Sequence, residues 1–290
     1  MDQVAAVIDA ESTRPIARSN RNRSTLLAGA WLALLVGVLV GTAVARAPTL
    51  SPFDEGTHAD YAYQVAHGHI PHAGSLGAVE ISREEACHGV SVPTRTRLPP
   101  CGTPDPPVGE NYNFGHPPLY YAITGVIARL ADAAVPGGHF VTAARLVGIG
   151  WLWAGAMALF LAIRAFGVPA RYATAGAALL PLVPGVLYAS STVTNDAAAA
   201  VSGGVALLVL ARILVRGRAG WLVPAVATFG VTATKVLNAL PLLVVAAVLS
   251  VLAVVAWRRD GDQIRARALL KVVLGIGAGF VLVYQGWALF

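Results

Sequence analysis

The chain has 290 residues, 56% of them hydrophobic and 12% charged, with a formal net charge of +6 and a mean hydropathy of +0.64. Soluble domains carry about a quarter charged residues, so this composition excludes an ordinary water-soluble globule. The basic residues sit in short clusters between apolar runs rather than along one patch, which argues against nucleic acid as a partner and reads as a record of membrane orientation.

Residues 1–24 are polar and irregular and are expected to form a disordered cytoplasmic tail. Residues 25–45 (Thr25–Ala45) are apolar and long enough for a first transmembrane helix, which needs roughly 17–25 residues. Ala43-Val44-Ala45 resembles a signal-peptide cleavage site, but the run exceeds the about 7–15 residues of such a signal, so an uncleaved anchor is favoured. Further spans are predicted at Ala143–Ile163, Tyr172–Ser190, Ala197–Val215, Leu237–Trp257 and Leu269–Leu289. A seventh, Trp221–Ala233, is short and carries Pro224, so it either stops partway or pairs tightly with the next run.

Arg14, Arg18, Arg21 and Arg23 precede the first run, which places the N-terminus in the cytoplasm. Arg164/Arg171, Arg216/Arg218 and Arg258/Arg259/Arg265/Arg267/Lys271 then share that side if Ala143–Ile163 runs inward. A crossing at Pro117–Val135 would reverse all of them. That stretch carries Arg129 and Asp132 and reads as a helix lying in or dipping into the outer interface. The chain is thus expected to be a multi-pass protein of the plasma membrane and cell envelope.

Residues 46–142 form one large extracytoplasmic loop holding all seven histidines and both cysteines. Cys87 and Cys101 read as a disulfide on the oxidising side, worth about 3 kcal/mol in the chain-entropy model. A metal site is the rival and would need more ligands than the two cysteines and His88. Asp54, His58 and Tyr61 share one face of a predicted helix that follows Pro52, which on its own also fits a capped, solvated helix.

Residues 143–290 form the bundle, where ionisable groups are costly and functional by default. Asp196, beside Asn195, is the sole acid between Asp132 and Asp260; Lys235 sits at an outward break, and Arg145 near the outer end of its span. The bland alternatives are that Asp196 or Asn195 caps the next helix and that Lys235 and Arg145 snorkel to headgroups.

Several pieces occur in a fixed order: Pro52-Phe53-Asp54-Glu55, Tyr61 through Gly68-His69-Ile70-Pro71, and Gly115-His116-Pro117-Pro118-Leu119-Tyr120-Tyr121. Ala144-Arg145-Leu146, Thr194-Asn195-Asp196-Ala197 and Thr234-Lys235 follow. The series resembles the GT-C superfamily of membrane glycosyltransferases, which take sugars from polyprenyl-phosphate donors and include protein O-mannosyltransferases and aminoarabinose transferases. The resemblance covers roughly residues 25–260 and lies in the ordered series, no piece being specific alone. It implies an all-α polytopic fold of about seven transmembrane helices, with juxtamembrane helices in the first outer loop. Sugar transfer to an extracytoplasmic hydroxyl of a glycan, lipid or protein follows from it.

Carried over, Asp54 is the general base or a metal ligand, with Glu55 beside it, His116 its helper and Asp196 the second-loop acid. Arg145 and Lys235 match cations near the donor phosphate, and His58, Tyr61, Tyr120 and Asn195 would line the substrate. A divalent ion, Mg2+ or Mn2+, would fall to Asp54, Glu55 and Asp196. Two departures stand out. The stretch Gly74–Asn111 with its cysteine pair lies outside the family pattern, and the bundle ends directly after an apolar run, as expected of a truncated or minimal member. Two other classes remain open. A transporter or flippase-like protein would carry carboxylates mid-span, and a non-catalytic membrane scaffold would tolerate loss of Asp54, Asp196 and Lys235.

Overall fold

The computed structural model describes residues 2–90, 98–135, 139–217, 220–259 and 261–289, with side chains from residue 22 onward. The side chains of Arg14, Arg18 and Arg21, and residues Arg218 and Asp260, therefore lie outside the described residues. Among the described residues there is no strand, only two isolated bridges, Leu50 to Val90 and Leu76 to Glu110.

Helix α1 runs Asp2–Arg46. Its apolar part, Asn22–Arg46, is long enough to cross a membrane. The expected irregular tail is helical from Asp2 onward. Once a helix is nucleated by an apolar span, adding residues costs little.

Three helices belong to the loop: α2 (Glu55–Ala66), α3 (Val79–His88) and α4 (Leu119–Ala134). They surround a small core of Ala59, Tyr61, Ile81, Tyr120, Tyr121 and Phe140. Cys87 and Cys101 are joined by a disulfide, with Cα atoms 4.4 Å apart, which anchors the end of α3. Helix α4 packs along α2, where Gly125 meets the Ala62 carbonyl and Arg129 Nη1 donates to the Ala66 carbonyl at 2.7 Å. It packs against both α2 of the loop and the helix Phe140–Ala165 that follows.

The bundle follows: α5 (Phe140–Ala165), α6 (Ala170–Ala178), α7 (Pro184–Ser191), α8 (Ala199–Arg216), α9 (Leu222–Thr234), α10 (Leu240–Arg258) and α11 (Gln263–Ala288). Five helices, counting that of Asn195–Arg216 and that of Val236–Arg258, are long and apolar enough to cross a membrane. Only about a third of each apolar window is buried within the protein; residues such as Leu34, Val244 and Leu274 face outward. In water such a surface would drive association, whereas in a bilayer it is the solvent-facing side.

The expected single span Tyr172–Ser190 is broken. Ala170–Leu182 and Pro184–Ser191 meet at 69°. Pro181 and Pro184 account for the bend, because each lacks an N–H and Pro184 pushes the residue before it out of helical conformation. Helix α9, 13 residues long, rises about 20 Å and is shorter than a hydrocarbon core.

Chain direction sorts the ends of these helices. The start of α5, the end of α7, the start of α8, the break at Lys235 and the end of α11 all lie beside the loop. The contacts are Glu84 to Phe140, Ser51 to Tyr188, Asn195 to Tyr121 and Trp287 to Gly115, and Lys235 lines a cavity together with His58 and His116 of the loop. The opposite ends carry Arg164, Arg171, Arg216 and Arg258.

Candidate functional site

The site forms where the loop helices rest on the bundle, and a buried ion pair holds that junction. Glu55, first residue of α2, and Arg145, in the second turn of α5, are 1% and 2% exposed. Arg145 Nε donates to Glu55 Oε1 and Nη2 to Oε2, both at 2.7 Å, a bidentate fork that fits a carboxylate plane. Glu55 also accepts from the amides of Ser51 at 2.6 Å and Val193 at 2.9 Å. Arg145 donates further to the carbonyls of Ala47 and Thr49, which follow α1.

Sequence reasoning placed Glu55 among the catalytic or metal-binding acids and Arg145 beside a phosphate. The structure turns them on each other instead. A buried charge left without its partner is costly, so two oppositely charged groups buried on adjacent elements pair with each other.

Asp54 is different. It is exposed and takes a left-handed backbone, φ 58° and ψ 17°, the only non-glycine residue among those described to do so. Its carbonyl accepts the His58 amide at 3.0 Å, so it ends the turn over residues 52–54 and starts α2. Its side chain does not cap the helix; Oδ1 accepts from the Tyr112 hydroxyl at 2.6 Å. Strain held at an exposed carboxylate is a feature found at functional sites.

Two cavities meet at Asp54. One, of about 610 Å3, is walled by Phe53, His58, Asn113 and His116 from the loop, by Tyr188 to Ser190 of α7, and by Thr194, Asp196 and Lys235. The other, of about 480 Å3, lies between α2 and α3 and is walled by Thr57, Asp60, Ser82, Glu85, Glu110 and Asn111. In the larger cavity Lys235 Nζ contacts Asp196 Oδ1 at 2.5 Å, with side chains 16% and 54% exposed. Asp196 does not cap the following turn, as its bland alternative expects; Thr194 does. Ser190 Oγ, on the wall of this cavity, is buried with no protein partner, so the cavity offers a group that a ligand or water would satisfy.

His58 and His116 line the same cavity, their rings stacked at 5.9 Å. His58 Nδ1 lies 2.8 Å from the Tyr121 hydroxyl, which also accepts from Asn195 Nδ2 at 3.2 Å. Burial, then the neighbouring His116 and Lys235, lowers the His58 pKa to about 4, against the opposing pull of Asp54 and Asp196. Burial and Lys235 likewise lower that of His116. Both rings are neutral at pH 7.

Of the expected lining residues, only His58 faces the cavity. Tyr61 is buried, stacked on Tyr121 at 3.9 Å and donating to the His116 carbonyl at 2.9 Å, so it positions the histidine loop. Tyr120 is buried against Trp151 because successive helical residues point about 100° apart. Asn195 lies buried behind the cavity wall, with Oδ1 unpartnered. Residues missed by the sequence reading are Tyr112, Tyr121 and Tyr188. Tyr121 was visible as the second tyrosine of Pro117-Pro118-Leu119-Tyr120-Tyr121; Tyr112 and Tyr188 carried no signal, since their roles arise from contacts over 58 and 137 residues.

The proposed metal set does not fit. Glu55 is committed to Arg145 and Asp196 to Lys235, and among the described residues the carboxylates do not converge with Asp54 to ligand distance. Among the described residues the one grouping of that kind is Glu84, His88 and His139, remote in sequence from Asp196.

Comparisons with protein families, with curated proteins and with solved structures return no match.

Proposed function

We propose that the chain is a membrane glycosyltransferase that moves a sugar from a polyprenyl-phosphate donor to an extracytoplasmic acceptor hydroxyl. The observation that carries this reading is the place of Asp54: an exposed carboxylate on the wall shared by two polar cavities, beside an apolar bundle. The ordered resemblance to the GT-C superfamily points the same way.

The larger cavity suits the donor. Lys235 offers a cation to the phosphate in exchange for its Asp196 partner, while Phe53 and Val186 give an apolar edge for the first prenyl units. Neutral His58 and His116 can hydrogen-bond sugar hydroxyls. The smaller cavity, rich in carboxylates, suits an acceptor bearing several hydroxyl donors. Asp54 takes the proton of the acceptor hydroxyl as its oxygen bonds to the anomeric carbon. The bond from that carbon to the phosphate oxygen breaks, and polyprenyl phosphate leaves with the electron pair, stabilised by Lys235. Glu55 and Arg145 act by positioning α2, and no step passes through a metal.

We read seven crossings, counting α6–α7 as one bent span and α9 as a short one. With the N-terminus cytoplasmic, Arg23, Arg164, Arg171, Arg216 and Arg258 share the inner side, following the positive-inside bias. The cavities then open outward.

The test is transfer by protein reconstituted in liposomes and offered a panel of radiolabelled polyprenyl-phosphate sugars. Wild type should move label from one donor class, and Asp54→Asn should be slower by about 100-fold or more. Equal rates would remove Asp54 from the reaction, and no transfer from any donor would remove the reading.

A further inference from the structure

A second cluster of chemistry-bearing side chains lies where α3 meets the start of α5. Glu84 and His88 stand one helical turn apart on α3, so they share a face. His139 immediately precedes α5. One ligand atom from each of the three lies within 4.8 Å of the others.

The hydrogen bonds around the cluster fix its chemistry. His88 Nδ1 is 2.8 Å from the Pro48 carbonyl oxygen. A carbonyl can only accept, so Nδ1 carries the proton and Nε2 presents a lone pair. Ligating histidines are oriented by this kind of bond. Glu84 accepts the Phe140 amide on Oε1 at 2.8 Å and the Val141 amide on Oε2 at 3.0 Å. Those bonds aim the carboxylate, and each oxygen keeps a second lone pair. His139 is exposed, its ring 5.6 Å from that of His88, leaving a route in for an ion.

We propose that Glu84, His88 and His139 bind one Zn2+ ion, with water in the fourth position. Two imidazole nitrogens and one carboxylate oxygen suit Zn2+, whereas Mg2+ and Ca2+ take all-oxygen sets. The ion joins three parts of the chain: α3, the first turn of α5, and through the His88–Pro48 bond the segment leaving α1. The Cys87–Cys101 bond pins the same end of α3. The site ties the loop to the bundle and does not depend on the transferase reading, because its test measures bound metal.

The experiment is Zn2+ titration of the detergent-solubilised full chain against a chromophoric chelator, with blocked thiol reactivity checking that Cys87–Cys101 is intact in every sample. Wild type should bind one equivalent. His139→Ala, which alters only an exposed ring, should weaken binding at least about 10-fold, as should His88→Ala, while His67→Ala leaves it unchanged. Absence of stoichiometric binding in wild type, or wild-type affinity in His139→Ala, would overturn the proposal.

Discussion

Asp54 and His58 are separated by one turn, yet the fold treats them oppositely. Asp54 stays in solvent on a left-handed backbone that costs an ordinary residue roughly 1–2 kcal/mol, less for an aspartate. His58 is drawn under the His116 ring and against Tyr121. Its pKa of about 4 lies below the ordinary 6.5, so the unfolded chain binds the extra proton between those values. Stability from this group is therefore complete above pH 6.5 and is lost as pH falls toward 4, by about 3 kcal/mol for a shift of this size. The thermal midpoint of the solubilised protein should drop over that window, and His58→Gln should flatten the drop. Parallel curves for the two proteins would show that burial does not hold His58 neutral.

At the scale of elements, the Glu55–Arg145 pair decides where the loop sits, because its partners reach the end of α1, the start of α2, α5 and the segment before α8. Removing one member of a buried pair leaves the other charged and unpaired, at a cost of about 3–5 kcal/mol. Glu55→Gln should lower stability by that order in denaturant titration, whereas Asp54→Asn at the adjacent position should change it by less than about 0.5 kcal/mol. Similar losses in both would mean that Glu55 is not the staple. Sequence could find Asp54 and Glu55 as a helix start and through the ordered resemblance, but it could not tell which acid faces solvent. That depends on Asp54 leaving helical geometry while Glu55 enters it. The bend between α6 and α7 was written in Pro181 and Pro184, and the apolar length of the run hid it. A further close approach, where Gly148 of α5 meets the Ser190 carbonyl, brings α7 against the cavity and has no signature beyond the glycine itself.

For the whole molecule, the apolar spans and the disulfide were legible, because hydrophobic length and an even cysteine pair each have one dominant physical cause. The site was legible as a set of scarce polar residues. Their partition into cavity wall, buried staple and loop cluster was not, since it rests on contacts between distant segments such as Lys235 with Asp196. The account turns on those cavities opening at the membrane face opposite the arginine-rich ends. Cys87 and Cys101 are the chain's only cysteines and are bonded to each other, so one introduced cysteine supplies the sole free thiol. Labelling intact cells with a membrane-impermeant maleimide compares Ala189→Cys, on the larger cavity, with Arg258→Cys, at the far end of α10. The account predicts that Ala189→Cys labels from outside and Arg258→Cys only after permeabilisation; labelling of both from the same side, or the reverse pattern, would contradict it.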